Sequence, residues 1–233
     1  MEIALAFSGG KDSWACLWLN EYRLDEILVI WVNTGKNYPE LLEQIKLAQS
    51  ICHNFVEVKT DRDGQNEKEG LPSDVVPIDW TSLGQEITGI KEVKIQSYLG
   101  CCYENLSKHI HETAKSYGIK QLIRGQRIDE LHKSPARNGH IVDGIEYLQP
   151  IENWNKQEVM DYLKSKMEIP AHFSLNHSSL DCYDCTAYRK ESNDRVEFTK
   201  INHPNLYAEY KIRMDLVEKA INEGLNNGTS NLR

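Results

Sequence analysis

The apolar run Ile3-Ala4-Leu5-Ala6-Phe7 ends in Ser8-Gly9-Gly10-Lys11-Asp12-Ser13 and passes straight into a helical pattern. A strand that turns through two glycines into a helix start gathers several backbone N–H groups around one point, where the helix end also favours an anion. Gly9 and Gly10 permit positive φ and close backbone approach. Ser8 and Ser13 add hydroxyl donors, and Lys11 adds a point charge. The guest that suits this cradle is a phosphate belonging to a nucleotide. An ordinary Gly-containing turn needs neither the lysine nor the two serines, and the spacing is not that of a Gly-x-x-x-x-Gly-Lys-Ser/Thr loop. Asp12 either supports Lys11 or a metal, or caps the helix start.

The rest of the chain alternates between strand and helix patterns. Ile27–Val32 is a continuous apolar run, suited to a central parallel strand covered on both faces. Residues 11–23 read as the crossover helix before it. Leu41, Ile45 and Ala48 mark a second helix, and Phe55–Val58 a third strand. Leu106, Ile110 and Ala114 form a helix face closed by Gly118. Strands follow at 121–123 and 145–148. Asn155 with Glu158 reads as a capping arrangement opening a helix to about Lys166. Leu206, Tyr210, Met214, Val217 and Ile221 make a last amphipathic helix stopped by Gly224, with a frayed polar tail beyond.

This alternation predicts an α/β fold, a doubly wound and mainly parallel sheet with helices on both faces. Ligands of such sheets sit at the carboxyl ends of the strands, where Ser8–Ser13 lies. The expected organisation is a nucleotide-binding α/β domain over 1–170, with a loop-rich excursion at 61–95, followed by a cysteine-bearing and helical segment over 171–233.

At 233 residues, 40% hydrophobic and 27% charged, the chain is long enough for a sizeable core and composed like a soluble globular protein. A net charge of −8 argues against broad nonspecific nucleic-acid binding. No stretch reads as a membrane span, and a phosphate loop beginning at residue 8 leaves no room for a cleaved leader. A cytoplasmic location is therefore expected. There, six cysteines serve as ligands, nucleophiles or core residues rather than disulfides.

Four of the six form two close pairs, Cys101-Cys102 and Cys182-x-x-Cys185. Four thiolates suit either tetrahedral Zn²⁺ or a [4Fe–4S] cluster, and four core thiols remain an alternative. Adjacent cysteines reach two corners of a larger cluster more easily than they close on one ion. Cys16 and Cys52, beside apolar neighbours, read as core residues.

The loop resembles the pyrophosphate-binding loop of the adenine-nucleotide α-hydrolase superfamily. Combined with Cys-Cys and a distant Cys-x-x-Cys, it resembles the phosphoadenylyl sulfate and adenylyl sulfate reductases, whose cysteines ligate a [4Fe–4S] cluster. Asn33-Thr34-Gly35, with Tyr38-Pro39-Glu40, is similar to the family segment after the second strand, which carries Asp where this chain has Asn33. Arg124-Gly125-Gln126-Arg127, with Ser134 and Arg137, is similar to the segment that contacts the nucleotide's anionic groups. Pro150-Ile151 and Trp154 are similar to the stretch leading to the second cysteine pair.

The resemblance implies that Ser8, Gly9, Gly10, Lys11, Asp12, Ser13, Asn33, Thr34, Gly35 and Gly125 bind ATP or an adenosine phosphosulfate. It implies that Cys101, Cys102, Cys182 and Cys185 hold the cluster. Lys11, Arg127 and Arg137 are the expected catalytic residues, with Mg²⁺ as an accompanying ion. The family's reductases use a cysteine near the C-terminus as nucleophile and thioredoxin or another thiol donor as partner. No cysteine follows Cys185 in this sequence. That leaves a reductase whose nucleophile lies elsewhere, an ATP pyrophosphatase adenylating tRNA or DNA for thiolation, or a nucleotide and redox sensor. A homo-oligomer is expected.

Overall fold

A computed structural model of the chain describes residues 1–89, 92–130, 136–175, 180–190 and 192–230. In chain order its strands are β1 (Ile3–Ala6), β2 (Ile27–Asn33), β3 (Phe55–Lys59), β4 (Leu71–Ser73), β5 (Ile95–Ser97), β6 (Gln121–Ile123), β7 (Ile141–Val142) and β8 (Ile145–Leu148). Its α-helices are α1 (Lys11–Leu19), α2 (Pro39–Ile51), α3 (Arg62–Glu69), α4 (Ser82–Thr88), α5 (Tyr98–Cys102), α6 (Lys108–Ser116), α7 (Lys156–Lys164), α8 (Ala171–Leu175), α9 (Asn193–Asn202) and α10 (Pro204–Ser230). The chain divides into two compact units. The first comprises Met1–Asn33, Asn37–Lys59 and Lys108–Leu175; the second comprises Thr34–Lys36, Thr60–Ser107 and Asn176–Arg233.

The first unit holds a six-stranded sheet in the order β3-β2-β1-β6-β8-β7, parallel except for the β7–β8 pair. Leu5 of β1 pairs with Val29 on one side and Ile123 on the other. Ile27–Val32 of β2 are all buried, as a strand covered on both faces requires. From β1 the chain winds outward to β2 and β3, then returns to lay β6 against β1's other edge. The strand order therefore reverses between β1 and β6, the point where doubly wound sheets bind ligands at their carboxyl ends. Both Ser8–Ser13 and Arg124–Arg127 follow directly from these two strands.

Helix α1 is anchored by its buried face, Ser13–Leu17, with Trp14 packed edge-on against Phe7 at 5.2 Å. It ends at Leu19 rather than 23, because the Asn20 side chain donates to the Cys16 carbonyl at 2.7 Å and caps it. The chain continues to Glu26 as a 3₁₀ turn. At α6, Gly118 has φ +69° and the N–H of Ile119 closes on Ala114, the cap expected there. A capping box of Asn155 and Glu158 opens α7 as expected.

The second unit differs from three expectations. The excursion at 61–95 is not loop-rich: it carries α3, α4, and the parallel strands β4 and β5. Contacts group it with residues 176–233, a division different from a single boundary at 170. Helix α10 also does not stop at Gly224. A β-carbon there would lie 2.5 Å from Pro77 Cβ, so the glycine serves close packing inside the helix. This unit's core is Trp80, Ile95, Val217, Ala220 and Ile221. Among the described residues no helix is long and apolar enough to cross a membrane.

Candidate phosphate loop and four-cysteine site

In the first unit, Gly9 takes φ +77°, and a β-carbon on it would meet Leu41 Cδ1 at 3.0 Å. The turn therefore needs glycine both for its conformation and for its packing on α2. Gly10 is the N-cap of α1 and offers no side chain to satisfy the helix's first N–H groups. Ser13 Oγ donates to the Gly10 carbonyl at 2.8 Å and lies 3.4 Å from Ser8 Oγ, bracing the loop across its mouth. An uncapped helix start beside two hydroxyls and a lysine is an anion cradle.

Charge around this cradle is already organised. Lys11 Nζ lies 2.9 Å from Asp12 Oδ2, and Asp12's other oxygen accepts from Arg127 Nη1. Arg127 Nε donates to Asp129 Oδ1 at 2.8 Å, and Glu130 stands 4.0 Å from its remaining nitrogen. Arg127 is thus buried and committed to carboxylates, whereas Arg137 is exposed and held by no ion pair among the described residues. Of the two arginines expected to grip an anion, Arg127 is the one whose guanidinium is already engaged by carboxylates. Burial, followed by the nearby Asp12 charge, pushes the Glu130 carboxyl up to about 7. Motif reading passed over Glu130; its place after the Arg124–Arg127 segment was the available signal. Ser134 lies outside the described residues.

Gly125 belongs to the same construction: a β-carbon on it would sit 2.7 Å from the carbonyl of Asp12. Asn33 ends β2 and donates to Glu57 at 2.7 Å while accepting from Asn37 at 2.6 Å. On α6, His111 bonds Tyr147 at 3.0 Å and approaches Asp143, so it braces the β7–β8 hairpin. Cys16 and Cys52 are buried core residues; burial pushes the Cys16 thiol up and the Cys52 thiol to about 11.

All four remaining cysteines fall in the second unit. Cys101 and Cys102 end α5, whose N-cap Ser97 accepts from Leu99. Cys101 Sγ lies 3.7 Å from both Asn105 Nδ2 and Asn66 Oδ1. Cys102 Sγ is 3.4 Å from the Tyr188 hydroxyl, and Cys182 Sγ is 3.5 Å from Thr34 Oγ1. Thr34, expected at the nucleotide, therefore touches a thiol in this unit, and Gly35 follows it with φ +75°. Tyr188 adopts φ +61°, a conformation costly for a tyrosine, and Asp74 accepts from its N–H and from that of Arg189.

Among these thiols stands Arg62, which sequence reading missed. It is 2% exposed and donates to Asp184, 1% exposed, at 2.6 Å. Asp184 sits inside Cys182-x-x-Cys185, the one available signal for the pair. Burial pushes Cys102 and Cys182 up to about 12; Tyr188 opposes this for Cys102 and Arg62 for Cys182. Among the described residues, no three His, Cys, Asp or Glu side chains converge so as to hold a metal ion. The donor set, four thiols and a buried guanidinium in one unit, is nevertheless of the kind an iron–sulfur group takes.

Fold and loop define the class, a doubly wound α/β protein with a phosphate-type loop at its strand-order reversal. The model of the phosphoadenosine phosphosulfate reductase domain matches residues 2–188, and the chain belongs to that family. Its place in the pyrophosphate-loop superfamily follows. No curated protein matches the sequence. Phosphoadenylyl-sulfate reductase from Candida auris, solved as a phosphate complex, shares the fold at 16% identity and TM-score 0.51, over 78% of this chain and 81% of that one. Looser likenesses include the NH3-dependent NAD synthetase of Campylobacter jejuni, at 16% identity over 91% and 83% of the two chains with TM-score 0.46. A predicted tRNA methyltransferase subunit from Methanocaldococcus jannaschii has 17% identity over 89% and 91%, with TM-score 0.41.

Proposed function

We propose that this chain binds an adenine nucleotide at Ser8–Ser13 and a [4Fe–4S] cluster at Cys101, Cys102, Cys182 and Cys185, and acts in sulfonucleotide reduction or sulfur transfer. The observation that carries this reading is the gathering of two sequence-distant cysteine pairs into one unit around the buried Arg62. The N–H groups at the start of α1, with Ser8, Ser13 and Lys11, hold the nucleotide's phosphates; Mg²⁺ accompanies them. Lys11 stabilises charge developing on the departing group, pyrophosphate in adenylation or the nucleotide's phosphate in sulfonucleotide reduction. Arg137 supplies a further anion contact, and Arg127 positions Asp12. The cluster, when bound, supplies iron and an anionic sulfur surface.

The chain's own nucleophile decides between the two chemistries. Cys16 and Cys52, the thiols outside the proposed ligand set, are buried with raised pKa, and neither presents a thiolate. This favours a second reading, in which ATP adenylates an acceptor and sulfur arrives from another protein. Thioredoxin or another thiol donor is the proposed partner for the reductive reading, and tRNA or DNA the acceptor for the adenylating one.

Anaerobic purification with iron and acid-labile sulfide analysis tests the shared part; zinc-loaded or metal-free protein overturns the cluster. Adenosine phosphosulfate with reduced thioredoxin then yields sulfite if reduction is the reaction. Pyrophosphate release from ATP that requires an added acceptor, without sulfite, establishes adenylation instead.

A further inference from the structure

We infer that Arg62 is the counter-cation of the four-cysteine site: Asp184 holds one arm of its guanidinium, and the other donates to bound anionic sulfur. This inference rests on the cluster reading above.

Arg62 Nη1 is committed to Asp184 Oδ1 at 2.6 Å, but Nη2 is buried with no hydrogen-bond partner among the described residues. A buried guanidinium N–H left unsatisfied is costly, so a structural ion pair normally occupies both arms. Asp184 is also approached by a second cation, Arg213, whose Nε lies 3.3 Å from Oδ2. Lys36 and Asp63 pair alongside at 3.2 Å. Asp184 is thus shared between two guanidinium groups, and the buried charge of Arg62 is only partly balanced by it.

The groups placed to complete that balance are the thiols of the turn that carries Asp184, Cys182-x-x-Cys185. Arg62 opens α3 and Asp184 sits within the Cys182-x-x-Cys185 turn, so their bond ties that turn to a helix start. The arm facing away from Asp184 is left for sulfur. A fixed positive charge there favours the more negative, reduced state of an iron–sulfur group and raises its potential.

The test compares the anaerobically purified full chain with Arg62→Gln, Arg62→Lys and Asp184→Asn, reading iron and sulfide content and midpoint potential. Arg62→Gln is expected to lower the potential by about 59 mV, a tenfold change in a one-electron equilibrium, or to lose iron. Arg62→Lys, which keeps the charge, retains iron and stays close to the wild-type potential. Asp184→Asn, which removes a negative charge, shifts the potential upward. A merely structural pair would not give opposite signs, nor rescue by lysine. Iron-loaded wild type with Arg62→Gln unchanged in both iron and potential overturns the role of Arg62 alone. Equal loss of iron in the glutamine and lysine variants does the same. Iron-free wild type overturns the cluster reading and this inference with it.

Discussion

Gly125 lies directly against the backbone of Asp12: a β-carbon at 125 would stand 2.7 Å from both the carbonyl carbon and oxygen of Asp12, and 3.0 Å from the Ser13 nitrogen. These atoms are backbone, which no rotamer change can clear. The loop after β6 is thus seated against the first turn of α1, and glycine at 125 sets how close the two loops at the strand-order reversal come.

Gly125→Ala should therefore distort the phosphate loop. Overpacking against backbone costs about 1–3 kcal/mol. Thermal unfolding should show a lower Tm, and calorimetric titration with ATP or adenosine phosphosulfate about tenfold weaker binding. Wild-type stability and affinity together would show that the loops have room to part.

Arg127 and Arg137 should separate into different roles. Arg137→Ala removes an exposed guanidinium and should weaken nucleotide binding severalfold, on the scale of a hydrogen bond to a charged group, with Tm unchanged. Arg127→Ala leaves Asp12 and Asp129 without their common partner and should cost about 1–3 kcal/mol of stability, measured by urea denaturation. The reverse pattern would return the anion contact to Arg127.

Glu130 gives a pH signature with a definite sign. Its folded-state carboxyl titrates near 7, raised from 4.5 chiefly by burial, so folding favours the protonated form. The unfolded chain releases that proton first, and stability falls as pH rises from about 4.5 to about 7. Glu130→Gln should remove this component. The difference in unfolding midpoint between variant and wild type should grow in the variant's favour across that window and level off above it. A difference independent of pH would show that Glu130 ionises normally.

Gly224 tests packing against helix propensity. Were it an ordinary helix position, Gly224→Ala would stabilise α10 by about 1 kcal/mol. The β-carbon would instead approach Pro77 Cβ to 2.5 Å and Trp80 Cδ1 to 3.0 Å, so Tm should fall. A rise in Tm would restore Gly224 to a purely local role.

Much of the fold was legible because its signals are local. The six-residue apolar run of β2, the helical spacing of Leu41, Ile45 and Ala48, and the Asn155–Glu158 box each involve neighbours in sequence, and each appears as expected. The excursion at 61–95 was misread because α3 has almost no apolar periodicity: Arg-Asp-Gly-Gln-Asn-Glu-Lys-Glu looks like a solvated loop. Its helix start is set by Asp61 accepting from Gly64, and its buried positions are polar, Arg62 and Asn66. Gly224 was misread for the opposite reason, since a glycine stops a helix locally unless a distant surface such as Pro77 requires one.

The sequence by itself determined the phosphate loop, the family and the two cysteine pairs, because glycine placement and thiol spacing are properties of short segments. Only the tertiary structure decided which arginines are already engaged. Arg127 is satisfied by Asp12 across 115 positions, and Arg62 meets Asp184 across 122. Arginines in sequence look alike as anion ligands; whether one is exposed, neutralised or buried with an arm to spare depends on the carboxylates that folding brings to it.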